Sequence, residues 1–311
     1  MYGERLRELI DRNELLQCPG VHDPLTAAVA DAVGFDAIYL TGYGTSLSKT
    51  GYPDAGLLTM PEMVENAKNV QERSSVPVIA DADNGYGNAT NVVRTVREYV
   101  RADVAGIHIE DQTFPKRCGH TKGRRVIPKA EAVGKIRAAA DVRDERDESF
   151  VLVARTDARG AVGGDLNDAI DRANAYVDAG ADMAFVEGPV DEGEIARVGR
   201  EVDAPLVYNC VGELGTSPYV EPNDLERMGY DLVLYPVAST LATVAAVHER
   251  LSGLKSEGIG ALADLDRAFA ETPVGDLHRF SGFPEVVEWE RRYMPKEEQE
   301  KYRDSLGDDV E

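Results

Sequence analysis

A single α/β domain built as a (β/α)8 barrel of the TIM type, with extra helices after it, is the fold that the 311-residue sequence predicts. Three observations lead there. Short apolar runs of strand type alternate with amphipathic helical stretches from Leu16 to Ala238, the pattern of parallel strands joined by helical crossovers. Eight such runs fit a closed barrel of about 250 residues better than an open doubly wound sheet. Polar residues gather where the runs end, whereas the runs begin mostly on Pro, Ala, Phe, Met and Leu. In a parallel barrel that polar face is the one that carries chemistry.

Taken in order, residues 1–13 read as a charged amphipathic helix and not as a basic-then-apolar leader. The eight strands are expected at residues 16–20, 37–42, 77–83, 106–111, 150–157, 183–188, 206–211 and 232–238, each apolar through its body as a doubly covered strand must be. They close on Thr41-Gly42-Tyr43, Asp81-Ala82-Asp83, Glu110-Asp111, Arg155-Thr156-Asp157, Glu187, Asn209 and Tyr235. Helices are expected at 240–257 and 260–269, so the barrel occupies about residues 16–257 and a helical tail about 258–311. Within the tail, Phe283, Val286, Val287, Trp289 and Tyr293 fall near helical spacing over residues 283–302. That stripe needs a partner surface, on its own barrel or on a neighbouring subunit.

Composition narrows the function. The hydrophobic fraction of 43% belongs to an ordinary globular chain. A net charge of −22, from 56 acidic and 34 basic residues, repels phosphate backbones and anionic lipid, so neither nucleic acid nor membrane is expected as a partner. The same excess suggests a salt-rich, halophilic cytoplasm that screens self-repulsion, a reading that a melting temperature indifferent to KCl would sink. Cys18, Cys118 and Cys210 are odd in number and widely spaced, unlike a disulfide framework or a zinc site. Cys18 and Cys210 lie in apolar runs and read as packing residues, whereas Cys118 lies in the basic loop Lys116-Arg117-Cys118-Gly119-His120.

The chemistry converges on the polar face. Asp81 and Asp83, two apart on one strand, should point the same way, beside Glu110 from the next strand and Asp54 from the loop after the second. Four carboxylates in one mouth require a cation or arginine partners, and Mg2+, with Mn2+ as a substitute, suits an all-oxygen set that keeps several waters. Around Cys118, two cations and an imidazole should favour the thiolate and bring the thiol toward neutrality, fitting a group that delivers and recovers a proton. Arg155 offers a planar fork for a carboxylate and Asn209 a hydrogen bond, although an arginine in such a mouth also serves to bridge neighbours such as Asp157. The amides of Gly42-Tyr43-Gly44 could take an anion. Neither a P-loop nor a dinucleotide fingerprint is present.

Together, Thr41-Gly42-Tyr43-Gly44, Pro53-Asp54, Asp81-Ala82-Asp83-Asn84-Gly85-Tyr86-Gly87, Ile109-Glu110-Asp111-Gln112, Lys116 to His120 and Ala154-Arg155-Thr156-Asp157 resemble the isocitrate lyase / phosphoenolpyruvate mutase superfamily, most of all the short methylisocitrate lyases and the petal death protein group. The resemblance implies a lyase that cleaves a 2-hydroxy di- or tricarboxylate to an α-keto acid and a carboxylate. It implies Mg2+ held directly by Asp83 and through water by Asp54, Asp81 and Glu110, with Cys118 as proton donor, assisted by His120. Thr41, Gly42, Tyr43, Gly44, Arg155, Glu187 and Asn209 would line the substrate site, and Tyr43 or a metal-linked carboxylate would be the base. It also implies homotetramers that exchange C-terminal helices; the cytoplasm is expected on other grounds, because the apolar stretches are broken by charge and residues 1–13 do not read as a leader. Tyr43-Gly44 departs from the isocitrate lyases, and Leu241 stands near the position where methylisocitrate lyases have an arginine for the extra carboxylate, which favours a 2-alkylmalate or oxaloacetate. Oxaloacetate hydrolysis is one alternative. Phosphoenolpyruvate mutase or phosphonopyruvate hydrolase chemistry is another, weakened by the cysteine in the loop, and a barrel without catalysis is the last.

Overall fold

A computed structural model describes residues 1–12 and 14–299. The polypeptide opens with α1 (Tyr2–Ile10) and then alternates β1 (Leu16–Val21), α2 (Pro24–Val33), β2 (Ile38–Leu40), α3 (Gly42–Thr50), α4 (Met60–Arg73), β3 (Val78–Asp81), α5 (Ala89–Arg101), β4 (Gly106–Glu110), α6 (Lys129–Arg146), β5 (Val151–Thr156), α7 (Leu166–Asp178), β6 (Met183–Val186), α8 (Glu192–Glu201), β7 (Leu206–Asn209), α9 (Pro222–Arg227) and β8 (Leu232–Tyr235). The strands are all parallel and close in sequence order, with β8 back beside β1. The expected (β/α)8 barrel is therefore the observed fold, and each expected strand is present.

Period-two alternation sorts the strand residues. Leu16, Cys18, Tyr39, Ile79, Val151, Val153, Met183, Phe185, Val207, Leu232 and Leu234 pack with one another in one core, together with Leu6 and Leu9 of α1. The alternate residues, such as Ile38, Leu40, Val78, Ala80, Ile107 and Ile109, pack instead with helix residues such as Val70, Val96 and Ile136. Continuing the inward positions toward the strand ends reaches Asp81, Glu110, Arg155 and Asn209, with Glu187 one residue past β6, so the mouth is polar because the same alternation runs out of apolar residues there.

Seven of the eight strands end one to three residues before their expected limits, and two of these endings have a clear local cause. The run 37–42 stops at Leu40 because Thr41 becomes the N-cap of α3, its hydroxyl accepting the Gly44 N–H at 3.3 Å. The run 77–83 stops at Asp81 because Asp83 turns to φ 47°, in the left-handed region that costs a residue bearing a Cβ.

The described residues divide into two compact units, Met1–Thr243 and the segment from Val244. The second holds most of α10 (Ala238–Glu257), then α11 (Ile259–Ala270), α12 (Leu277–Ser281), α13 (Phe283–Tyr293) and α14 (Lys296–Gln299). Residues 300–302 of the expected tail helix lie outside the described residues, and its aromatic members Trp289 and Tyr293 are exposed. No described helix is long and apolar enough to cross a membrane.

Candidate active site

Lys116 dominates the electrostatics of the mouth. Its ammonium is buried, 2.7 Å from Asp54 and 2.5 Å from Asp83. Burial would lower its pKa, but Asp54, Asp83, Glu110 and Asp81 hold it well above the ordinary lysine value. Asp83 is pushed up to about 7 by burial and by Asp81 and Asp54, against the pull of Lys116. Glu110 is raised by burial too, and its Oε1 has no partner. Asp81 goes the other way: burial raises it, yet His108, Lys116, Arg155 and the Asp83 N–H bring it down to about 2. Its Oδ1 accepts the Asp83 N–H at 2.8 Å and its Oδ2 the Gly42 N–H at 3.2 Å.

These facts revise two expectations. Asp83 does not project from the strand beside Asp81; it turns out of β3 and meets Asp81 through its own amide. Nor are the three amides of the Gly42 turn equally open, because the Gly42 N–H goes to Asp81 and the Gly44 N–H to Thr41. Tyr43, half-buried, keeps the remaining N–H of the first turn of α3, where an anion is favoured.

The loop 112–121 folds over this floor. The Gln112 side chain brackets it, donating to Arg117 O at 2.8 Å and accepting the Arg117 N–H at 3.0 Å. The Cys118 N–H donates to Asp54 O at 3.2 Å. A Cβ at Gly119 would sit 2.2 Å from an Arg155 terminal nitrogen and 2.7 Å from Glu187 Cγ, so only glycine lets the loop backbone rest on the guanidinium. His120 Nδ1 accepts the Thr216 N–H at 3.2 Å, and its Nε2 lies 3.1 Å from Glu187 Oε1 and 3.3 Å from Asn209 Nδ2.

The Cys118 thiol is a correction. Burial raises its pKa above the ordinary 9.0, and Asp54 and Glu187 add to that against the His120 N–H and Arg155. The expected depression toward a thiolate does not occur, because Lys116 spends its charge on Asp54 and Asp83. What results is a thiol that keeps its proton at neutral pH. Cys18 and Cys210 are buried free thiols, as expected.

Arg155 is tied to Asp157 at 2.9 and 3.1 Å, to Glu187 at 3.1 Å and, more loosely, to Glu110 at 3.4 Å. Glu187 is held well below the usual carboxylate range: burial opposes this, but Arg155, His120 and Asn209 prevail. Asn209 gives its Nδ2 to Glu187 at 2.9 Å and leaves Oδ1 buried without a partner.

Among the described residues no three His, Cys, Asp or Glu side chains already close around one point as a metal cage. A cation that takes few protein ligands and keeps its water still fits: the oxygens are hard donors, Lys116 already places a positive charge between Asp54 and Asp83, and Glu110 Oε1 lacks a donor. Sequence reasoning treated Lys116 only as an influence on the thiol and passed over Thr216, Tyr39 and His108. For His108 a signal was present, since it lies two residues before Glu110 and so on the same face of β4.

The fold and site define a class: a parallel barrel whose carboxylate-lined mouth is capped by a loop carrying a protonated thiol, suited to cation-assisted chemistry on small carboxylic acids. The model of one family, phosphoenolpyruvate phosphomutase, matches residues 6–255, and the chain belongs to that family, within the isocitrate lyase / phosphoenolpyruvate mutase superfamily. It is 43% identical over 289 residues to the 2,3-dimethylmalate lyase of Eubacterium barkeri, covering 93% of this chain and 97% of that one. To the 2-methylisocitrate lyase of Halalkalibacterium halodurans it is 41% identical, covering 82% and 83%. Among solved structures, a 2,3-dimethylmalate lyase superposes with a TM-score of 0.87 at 34% identity, covering 99% of both chains. An oxaloacetate acetylhydrolase gives 0.85 at 34%, covering 95% and 98%. A phosphonopyruvate hydrolase in complex with oxalate and Mg2+ gives 0.82 at 30%, covering 95% and 100%.

Proposed function

We propose that the protein is a Mg2+-dependent carbon–carbon lyase that cleaves a 2-hydroxy dicarboxylate of the 2-alkylmalate type to an α-keto acid and a second carboxylate. The observation that carries this is the placement of the Cys118 thiol on the loop that is pinned to Asp54 and rests on Arg155, over a mouth of carboxylates. Its likeness to a 2,3-dimethylmalate lyase supports the substrate class. So does Leu241, half exposed, near the position where the resemblance to methylisocitrate lyases calls for an arginine to read the extra carboxylate.

Asp83 would hold Mg2+ directly, with Asp54, Asp81 and Glu110 acting through its waters once Lys116 yields its place. Bound there, the ion supplies charge neutralisation at the hydroxyl oxygen of the substrate. The Tyr43 N–H and Arg155 orient the adjoining carboxylate, with Asn209 and Glu187 closing the far wall. The hydroxyl proton passes to a base, Tyr43 or a carboxylate; the C2–C3 bond breaks, and its electron pair leaves on C3 as an enolate-like carboxylate. The Cys118 Sγ–H then protonates C3, while Glu187 and Thr216 keep the His120 ring, and with it the loop, in place. The thiolate so formed recovers a proton when the loop lifts.

A second reading, hydrolysis of oxaloacetate to oxalate and acetate, is favoured by the likeness to the acetylhydrolase. Incubation with Mg2+ and 2,3-dimethylmalate, 2-methylisocitrate, isocitrate, oxaloacetate or phosphonopyruvate separates the two. Keto acid released from a hydroxy acid and lost in Cys118→Ser supports the lyase; turnover of oxaloacetate alone replaces it. We further propose a homotetramer acting in the cytoplasm, which sedimentation in high KCl tests for assembly.

A further inference from the structure

One layer below the mouth, three adjacent strands turn Tyr39, Asp81 and His108 into the barrel, all buried. The Tyr39 Oη lies 2.8 Å from His108 Nε2 and 3.4 Å from Asp81 Oδ2, while His108 Nε2 lies 3.4 Å from Asp81 Oδ1. The Tyr39 and His108 rings stack at 5.7 Å and 25°, and Phe185 meets the imidazole edge-on at 5.8 Å.

The protons in this group can be assigned. His108 Nδ1 has no partner. His108 also lines an internal void of about 10 Å³ whose other walls are Ile79, Val153, Phe185, Val207, Leu232 and Leu234. A buried water needs at least two polar partners, and this void offers one, so it stays dry. A proton on Nδ1 would be a stranded donor, whereas a proton on Nε2 is used. The imidazole is therefore neutral with Nε2–H directed at the Tyr39 oxygen, which frees the Tyr39 O–H to donate to Asp81 Oδ2.

Asp81 has little freedom left. Its oxygens also accept the Gly42 and Asp83 N–H groups, and its carbonyl accepts the Tyr99 O–H at 2.9 Å. One carboxylate thus joins the turn that opens α3 to the turn that carries Asp83.

We infer that His108 and Tyr39 are positioning residues: a buried chain from His108 Nε2–H through Tyr39 O–H fixes the Asp81 carboxylate, which sets the spacing between the anion-binding turn at Gly42–Gly44 and the cation-binding turn at Asp83. This rests on the reading of the mouth as a site for a carboxylate and a cation together. Neither residue touches substrate.

The test is calorimetric binding of oxalate in the presence of Mg2+ to wild type, Tyr39→Phe, His108→Leu and His108→Gln, with melting temperatures alongside. Tyr39→Phe and His108→Leu should each weaken oxalate about tenfold, the loss expected for one buried hydrogen bond to an ionised group. His108→Gln, whose amide nitrogen can stand near the position of Nε2, should bring binding back close to wild type, a rescue that lost packing alone would not give. Wild-type affinity in His108→Leu, or His108→Gln as weak as His108→Leu, overturns the inference. Should His108→Leu fail to fold, Tyr39→Phe decides, because it removes one oxygen and keeps the stacked ring; unchanged binding there overturns it too. Absence of oxalate binding by wild type also overturns it. Wild type that binds oxalate but releases keto acid from no hydroxy acid retires the lyase and leaves this inference standing.

Discussion

The Lys116 ammonium lies 2.5 Å from the Asp83 carboxylate, inside the mouth and almost wholly shielded from water. Four carboxylates at close quarters are tolerable there only with a positive charge among them, so the lysine and a divalent ion compete for one place. Lys116→Met should destabilise the protein in EDTA by about 3–5 kcal/mol, the usual cost of leaving buried charge unpaired. Mg2+ should restore most of that loss, because it binds the folded site and not the unfolded chain. Urea unfolding with and without Mg2+ measures both. A loss that Mg2+ does not repair would show that these carboxylates do not form a cation site.

The raised pKa of Cys118 fixes how the thiol should react. With burial as the main cause, the thiolate appears only above the ordinary value of 9.0. Alkylation of Cys118 by iodoacetamide in metal-free protein, followed by peptide mass spectrometry, should keep accelerating through that pH, with Cys18 and Cys210 protected by burial. A rate that levels off near neutrality would restore the thiolate reading and remove the thiol as an acid. Cys118→Ser should lower kcat by about 10²–10⁴, the range for loss of a positioned acid.

At Gly119 the constraint is steric. The loop reaches Arg155 only because no side chain intervenes, a Cβ there falling 2.2 Å from the guanidinium. Gly119→Ala should keep the loop from seating, cutting kcat at least as much as Cys118→Ser while moving the melting temperature little, since the barrel core is untouched. Proteolysis within residues 112–124 should become faster. Normal turnover with an alanine at this position would mean that chemistry occurs with the loop raised.

Much of this was legible in the sequence because two simple periods write it there. Alternation along Ile107 to Glu110 and Val151 to Arg155 marks both the strands and the side chains that reach the mouth. Charge placement was less legible. Lys116 stands two residues from Cys118 in sequence, which suggested that it tunes the thiol; in space it is committed to Asp54 and Asp83, contacts across long stretches of chain. Likewise, that the Gly42 and Gly44 amides are already occupied depends on an Asp81 rotamer and a Thr41 cap, neither of which a Gly-x-Gly pattern encodes. The Tyr39–His108 pair needed the register of three strands.

Asp81 and Asp83 shift in opposite directions, and the sign of the pH dependence follows. Asp83, ordinarily at 3.8 and raised to about 7, contributes stability that is full below 3.8 and is lost as the pH rises through 7; Glu110 acts in the same direction. Asp81, brought down to about 2, contributes stability present above 3.8 and lost only as the pH falls through 2. Between these limits His108, brought down to about 4 from 6.5 chiefly by burial, gains stability as the pH rises, but two raised carboxylates, Asp83 and Glu110, oppose that one imidazole, so in EDTA the urea midpoint should fall as the pH rises from about 4 to about 7. Mg2+ selects the ionised carboxylates and should flatten or reverse that slope. Self-repulsion of an acidic chain also grows with pH, so Asp83→Asn supplies the control: it should flatten the EDTA slope while leaving the overall charge almost unchanged. An EDTA slope equally steep in Asp83→Asn would assign the pH dependence to the surface and remove Asp83 from the account.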